Sequence, residues 1–198
     1  MKFTKLKKLN IRDVCFVSVF TAIIAVCAQI IIPMPIGVPL TLQTFAIPLA
    51  GMILGAKRGT LAVFVYILLG IIGVPVFAGF KGGFGVLFGV TGGYIISFPF
   101  MALLAGISAD LCYKYNSKIV RNVWAENAVL ATGLILGSAI NYMFGMIVGK
   151  AVVSCGWETA FATFVVPYIP TAVVKIILAG GIGVSVRKIL TKNRILTQ

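Results

Sequence analysis

Between Asp13 and Arg187 this 198-residue chain is a succession of apolar runs broken by glycine, proline and short basic clusters, with only four acidic residues in the whole sequence. At 60% hydrophobic and 11% charged, it lies far from the usual globular balance of roughly 45–50% apolar and about 25% charged. Such a chain dissolves in lipid, and the fold class is an all-α integral membrane protein. Six runs stand out, at about 13–32, 45–56, 59–73, 90–112, 126–149 and 160–187. A span needs roughly 20 residues. The sequence therefore holds one membrane domain, 1–198, comprising a basic segment (1–12), a six-helix bundle (about 13–187) and a basic tail (188–198). The second and third runs are short: 15 residues at 1.5 Å each cover about 22 Å of a hydrocarbon layer near 30 Å. They are expected not to cross cleanly.

Charge tests the count. In a soluble protein a net charge of +13 would suggest nucleic acid, but here the basic residues cluster at the ends of apolar runs, where membrane orientation is encoded. If six runs cross and the N-terminus is cytoplasmic, every Lys and Arg falls on the cytoplasmic side except Lys81, Lys150 and Lys175. Both termini are thus expected inside, and nucleic acid is not expected as a partner. The first residues, through Arg12, are basic like the start of a signal peptide, but the following run lacks a small-residue cleavage site and is long enough to remain as a first span.

Histidine is absent and the four cysteines, Cys15, Cys27, Cys112 and Cys155, form no C-x-x-C pair. Neither a metal site nor a His-dependent reaction is indicated, and no cofactor is expected. Asp13, Asp110, Glu126 and Glu158 fall near run ends, with no spacing that suggests acid–base work. No phosphate-binding G-x-x-x-x-G-K-[ST] occurs, so the chain carries no ATPase motif of its own.

One charge does not fit a purely structural reading. Lys175 lies inside the last apolar run, in a stretch without any acid, and an ionisable group at membrane depth marks a functional site unless it snorkels to the headgroups. Two connections on the side away from the basic clusters add to this. Residues 32–44 combine three prolines with Thr41, Gln43 and Thr44; residues 74–94 interleave glycines with Phe77, Phe80, Phe84, Phe88 and Tyr94. Extended backbone, polar groups and flat apolar rings suit the lining of a small-molecule pocket. In the fifth run Gly133, Gly137, Asn141, Gly145 and Gly149 recur every fourth residue. The glycines read as close helix packing. The Asn141 carboxamide either bonds a neighbouring helix or faces a ligand. In the first run Ser18 and Ala22 form a small-residue face.

Together these residues resemble the BioY family, the biotin-specific substrate-binding (S) components of energy-coupling factor (ECF) transporters. The resemblance rests on Val38-Pro-Leu-Thr-Leu-Gln-Thr44, Leu49 to Gly59, Gly73 to Gly79, Thr91-Gly-Gly-Tyr94, and Pro167-Tyr-Ile-Pro170 followed by Lys175, an ordered set spanning about residues 13–187. It implies an S-component-like six-helix bundle in a prokaryotic cytoplasmic membrane. It also implies biotin captured from the external side, and a separate transmembrane coupling protein with two cytoplasmic ATPases. By the same resemblance Ser18 and Ala22 would meet the coupling protein, where the family usually shows Ala-x-x-x-Ala. Lys175 would pair with the biotin carboxylate, Gln43 and Asn141 would serve the ureido group or its support, and Thr44 would be a further ligand-binding residue. Phe77, Phe84 and Tyr94 would pack on the apolar body, under a three-proline lid. The family often has an acid three residues before the lysine, where this chain has Ala172.

Two other classes compete. A self-sufficient secondary transporter or channel for a small organic anion would normally carry coupling carboxylates near the midplane, and a membrane-embedded enzyme would need paired acids, histidine or a nucleophile with its base. The sequence offers neither.

Overall fold

A computed structural model describes residues 10–34, 38–113 and 123–192. Several basic residues of the charge argument, Lys2, Lys5, Lys7, Lys8, Lys114, Lys118, Arg121 and Arg194, lie outside the described residues, as does Pro35 of the proline-rich connection. The elements run α1 (Ile11–Gln29), β1 (Ile31–Ile32), β2 (Leu40–Thr41), α2 (Gln43–Ile71), α3 (Gly92–Tyr113), α4 (Val123–Val153), α5 (Trp157–Phe164) and α6 (Ile169–Lys192). A 3-10 turn at Phe84–Phe88 precedes α3 and another at Val166–Tyr168 joins α5 to α6. β1 and β2 pair antiparallel, Ile31 with Thr41 and Ile32 with Leu40, so the proline-rich connection is closed at its base.

The helical part of α2 covers the second and third apolar runs, but it is folded. Gly55 sits inside it at φ 83°, ψ 173°, a conformation open to glycine and costly for any side chain. The consequence is visible in one bond: Gln43 Nε2 donates to the hydroxyl of Tyr66. In a straight helix these residues would stand about 34 Å apart. The two arms, 43–54 and 56–71, therefore lie back to back. The sequence reading placed the break between 56 and 59, at the charges; the turn comes earlier, at Gly55, and Lys57 and Arg58 belong to the second arm.

The bend is held from two other helices. Asp110 of α3 accepts from the backbone N–H of Ala56 (3.0 Å), and its other oxygen pairs with Arg187 of α6. Arg187 Nη1 donates in turn to Met52 O (2.8 Å). The start of one arm and the end of the other, which lack helical partners, are thus satisfied by an acid and a guanidinium. Arg58 just beyond the bend pairs with Asp13 in the first turn of α1 (2.7 Å), where a carboxylate also favours the helix dipole.

The last apolar run, read as a single helix over 160–187, is interrupted. Pro167 and Pro170 have no N–H to offer Thr163 and Val166, and the backbone turns through Val165 (φ −122°, ψ −57°) before α6 begins. α6 then continues to Lys192, past the expected end.

α2 packs on α3, α3 on α4, and both α1 and α6 lie against α2. The interior comprises Ile24, Ala28, Ala46, Ile47, Ala50, Val63, Tyr66, Phe98 and Ala102. Large apolar side chains such as Phe64, Leu68, Ile107, Ile135 and Ile177 face outward. Among the described residues five helical segments, Ile11–Gln29, Gln43–Ile71, Gly92–Tyr113, Val123–Val153 and Trp157–Lys192, are long and apolar enough to cross a membrane.

Gly55→Ala adds strain at φ 83° and a Cβ 2.6 Å from Asp110 Oδ1. The expected cost of about 1–3 kcal/mol lowers the melting temperature by roughly 3–10 °C. Gly156→Ala, at φ −70° with open space around it, leaves it unchanged. Thermal unfolding in detergent measures both.

Candidate ligand-binding site

A cavity of ≈ 80 Å³ opens at the end of the bundle that carries the 30–42 and 72–91 connections. That is room for several waters. Its wall is drawn from segments far apart in sequence: Val38, Pro39, Leu40 and Thr41 of the ribbon, Gln43 and Thr44 at the start of α2, Phe77, Ala78 and Lys81 of the following turn, Val86 of the 3-10 turn, Thr91, Tyr94, Ile95 and Phe98 around the start of α3, Tyr142 of α4, and Tyr168 and Lys175.

Lys175 is the chemical centre. Its ammonium donates to Thr41 O (2.7 Å) and Thr44 Oγ1 (2.8 Å), which leaves one N–H for another acceptor. Among the described residues no carboxylate lies within 4.0 Å of it. Three of the four acids are committed to other cations: Asp13 to Arg58, Asp110 to Arg187, and Glu126 to Lys188 (3.2 Å). Lys175 does not snorkel; it turns inward. Beside it a second void of ≈ 10 Å³, lined by Thr44, Ser138, Tyr142 and Ala172 among others, is about the size of one water.

The other polar groups are mostly satisfied within the wall. Thr41 Oγ1 donates to Gln43 Oε1 (3.0 Å), Gln43 donates to Tyr66, and Tyr66 donates to Val76 O (3.1 Å). Tyr94 donates to Phe164 O (2.7 Å) and Tyr168 to Val38 O (2.6 Å). Because these hydroxyls are turned onto carbonyls, the rings present apolar faces to the cavity. Tyr142 stands edge-on to Tyr94 (centroids 6.5 Å) and tilted over Tyr168 (6.4 Å). The small-residue stripe of α4 makes this possible: a Cβ on Gly145 would lie 2.2 Å from Tyr94 Cζ.

Of the residues singled out from sequence, Gln43, Thr44, Phe77, Tyr94 and Lys175 line the cavity. Phe84 and Asn141 do not. Phe84 is 58% exposed and packs edge-on against Phe88 (5.2 Å). Asn141 is fully buried and its amide donates to Tyr94 O (3.1 Å) and Ser97 Oγ (2.7 Å), bonding α4 to α3. Ser18 and Ala22 are exposed on the outward side of α1, away from its buried Val17, Thr21, Ile24 and Ala28. Tyr142, Tyr168, Phe98 and Lys81 were not foreseen. Tyr168 carried a signal, being framed by the two prolines that stop α5 and aim it inward.

Similarity to known proteins agrees with this geometry. A sequence model of the BioY family matches residues 3–192. The "Biotin transporter BioY" of Thermotoga maritima is 37% identical over 178 residues, covering 90% of this chain and 97% of that protein. A "Probable biotin transporter BioY" of Pyrococcus horikoshii is 50% identical over 97 residues, 48% of this chain and 59% of that one. Among solved structures, the S-component for biotin from an ECF-type ABC transporter superposes with a TM-score of 0.77 at 28% identity, covering 94% of this chain and 95% of its own. Fold and site therefore define a multi-pass protein of the prokaryotic cell membrane, of the S-component class of transport subunits. Within that class, the chain belongs to the BioY family.

Asn141→Leu removes two interior hydrogen bonds and is expected to cost on the order of 1–3 kcal/mol of stability. Phe84→Ala, at an exposed ring, stays within about 0.5 kcal/mol. Denaturant or thermal unfolding without ligand separates them.

Proposed function

We propose that this chain binds biotin at the cavity and is the substrate-capturing subunit of an ATP-driven uptake system. The observation that carries the reading is the ammonium of Lys175, held at the cavity by two oxygens and by no carboxylate among the described residues. A half-buried cation without a counter-ion is unfavourable, and a ligand carboxylate corrects it. Biotin offers that carboxylate, an apolar bicyclic body and chain for the walls of Phe77, Tyr94, Tyr142 and Tyr168, and a ureido group for polar groups near Gln43 and Thr91. Asn141 acts from behind, holding the first turn of α3 that carries Tyr94.

The cavity is smaller than the ordinary small-molecule pocket of about 300–1,000 Å³, so entry requires the proline-rich ribbon to move. It acts as a lid, fastened at Val38 by Tyr168 and at Thr41 by Lys175. An incoming carboxylate takes the third N–H of the ammonium, next to the bond that fastens Thr41.

In this reading six segments cross, the two arms of α2 counting separately, with both termini cytoplasmic. Support comes from the bend at Gly55, which brings Lys57, Arg58, Arg187 and Lys188 to the end where α1 begins, opposite the cavity. Energy comes from a transmembrane coupling protein and two ATPases, with Ser18 and Ala22 of α1 on the face that meets the coupling protein; the chain itself uses no cofactor.

Lys175→Ala is expected to weaken biotin binding by about 2 kcal/mol or more, roughly thirtyfold, because the carboxylate is then left buried and unpaired. Unchanged affinity in isothermal titration removes the proposed role. Lys81, an exposed cation at the rim, acts on capture: Lys81→Ala lowers the association rate, by about two- to tenfold at low salt, and leaves dissociation unchanged. Stopped-flow binding at two ionic strengths reads this directly.

A further inference from the structure

At the last residue of α1, a side chain outside the cavity makes more polar contacts with the site's framework than any residue lining it. The two N–H groups of Gln29 Nε2 are shared among Val76 O (3.3 Å), Phe77 O (3.2 Å) and Ala25 O of its own helix (3.3 Å). Its Oε1 accepts the backbone N–H of Phe80 (2.9 Å). One carboxamide thus grips both sides of the turn 76–81.

That turn is costly to make. Gly79 and Phe80 are both left-handed, at φ 72° and 55°; glycine tolerates this, whereas a bulky aromatic does so only when its surroundings impose it. The Phe80 ring supplies little in return, being 72% exposed. Beyond Gln29, the turn is held by the Tyr66 hydroxyl on Val76 O (3.1 Å) and by the backbone pair Phe77–Lys81, with N···O distances of 2.9 and 3.3 Å. The conformation matters to the site because Phe77, Ala78 and Lys81 all line the cavity, and Phe77 is seated edge-on against Tyr66 (5.7 Å), the partner of Gln43.

We infer that Gln29 is a positioning residue for ligand binding: by holding Phe80 in its left-handed conformation it fixes the turn that forms one wall of the site. Gln29 touches no ligand and acts through the backbone of residues 76–80. The ligand part of this inference rests on the biotin reading; the positioning part does not.

The test uses the full chain in lipid nanodiscs, as wild type, Gln29→Ala, Phe80→Gly and the double variant, with two readouts. Amide hydrogen exchange at 77–81 reports the turn without any ligand, and biotin association and dissociation rates report the site. In Gln29→Ala, exchange in the turn and biotin dissociation both accelerate, on the order of tenfold. Phe80→Gly in the same background restores both to within about twofold of wild type, since glycine adopts the conformation unaided. A merely structural role for Gln29 would not be rescued by relieving strain at a different residue. The inference is overturned if Gln29→Ala matches wild type, if the turn loosens while biotin rates stay constant, or if the double variant is no better than Gln29→Ala. Should Gln29→Ala not survive purification, the double variant decides: wild-type-like exchange supports the inference, and failure to fold rejects it. If wild type itself does not bind biotin, the ligand reading falls while the exchange comparison still judges the turn.

Discussion

Two cations on one helix fasten α6 to the first arm of α2. Near the bend, Arg187 caps Met52 and is neutralised by Asp110; at the cavity, Lys175 caps Thr41 and Thr44 with no acid beside it among the described residues. The difference decides what each end is for. A paired, buried ion is a fixed joint whose breaking leaves an uncompensated charge. An ammonium bonded only to neutral oxygens keeps an electrostatic demand unmet and holds its neighbours by bonds that a carboxylate can outcompete. The same helix is therefore anchored by an ion pair at one end and by a cation on neutral oxygens at the other.

The aromatic walls depend on that frame in a less direct way. Tyr94 fits because α4 is bare at Gly145, and its backbone is steadied by Asn141 from the same helix. Phenolic hydroxyls that would otherwise make the cavity polar are spent on Phe164 and Val38. What remains is an apolar chamber with a cationic corner, which favours an amphiphilic anion over either a sugar or a hydrocarbon.

Much of this was legible in the residues. Apolar runs and terminal basic clusters define helices because lipid leaves the backbone no other partner, and Lys175 was conspicuous because a charge in hydrocarbon is costly. The fold-back at Gly55 was legible as a boundary but not as a location, since the charges at 57–58 and the permissive glycine lie side by side and only the backbone angle distinguishes them. Asn141 could not be assigned from its position in the stripe: a carboxamide facing a helix and one facing a ligand have the same sequence signature. Tyr142 was missed for a related reason, being the immediate neighbour of that stripe and not on it. Phe84 belonged to a pattern of rings and glycines in which spacing does not say which rings point inward. Gln29 gave no signal, because the acceptors it serves lie some fifty residues away, in a turn whose shape is not periodic.

The proline-rich ribbon and the turn 76–81 lie outside the helices, so their carbonyls have no partner within a helical ladder. The amide of Gln29 and the phenols of Tyr66 and Tyr168 meet the carbonyls of Val76, Phe77 and Val38 and stand in for the partners a helix would supply. Beyond one short ladder and one backbone pair, side chains stitch this ceiling together, and its looseness or firmness is set by a few amide and phenol contacts in place of a continuous hydrogen-bonded scaffold.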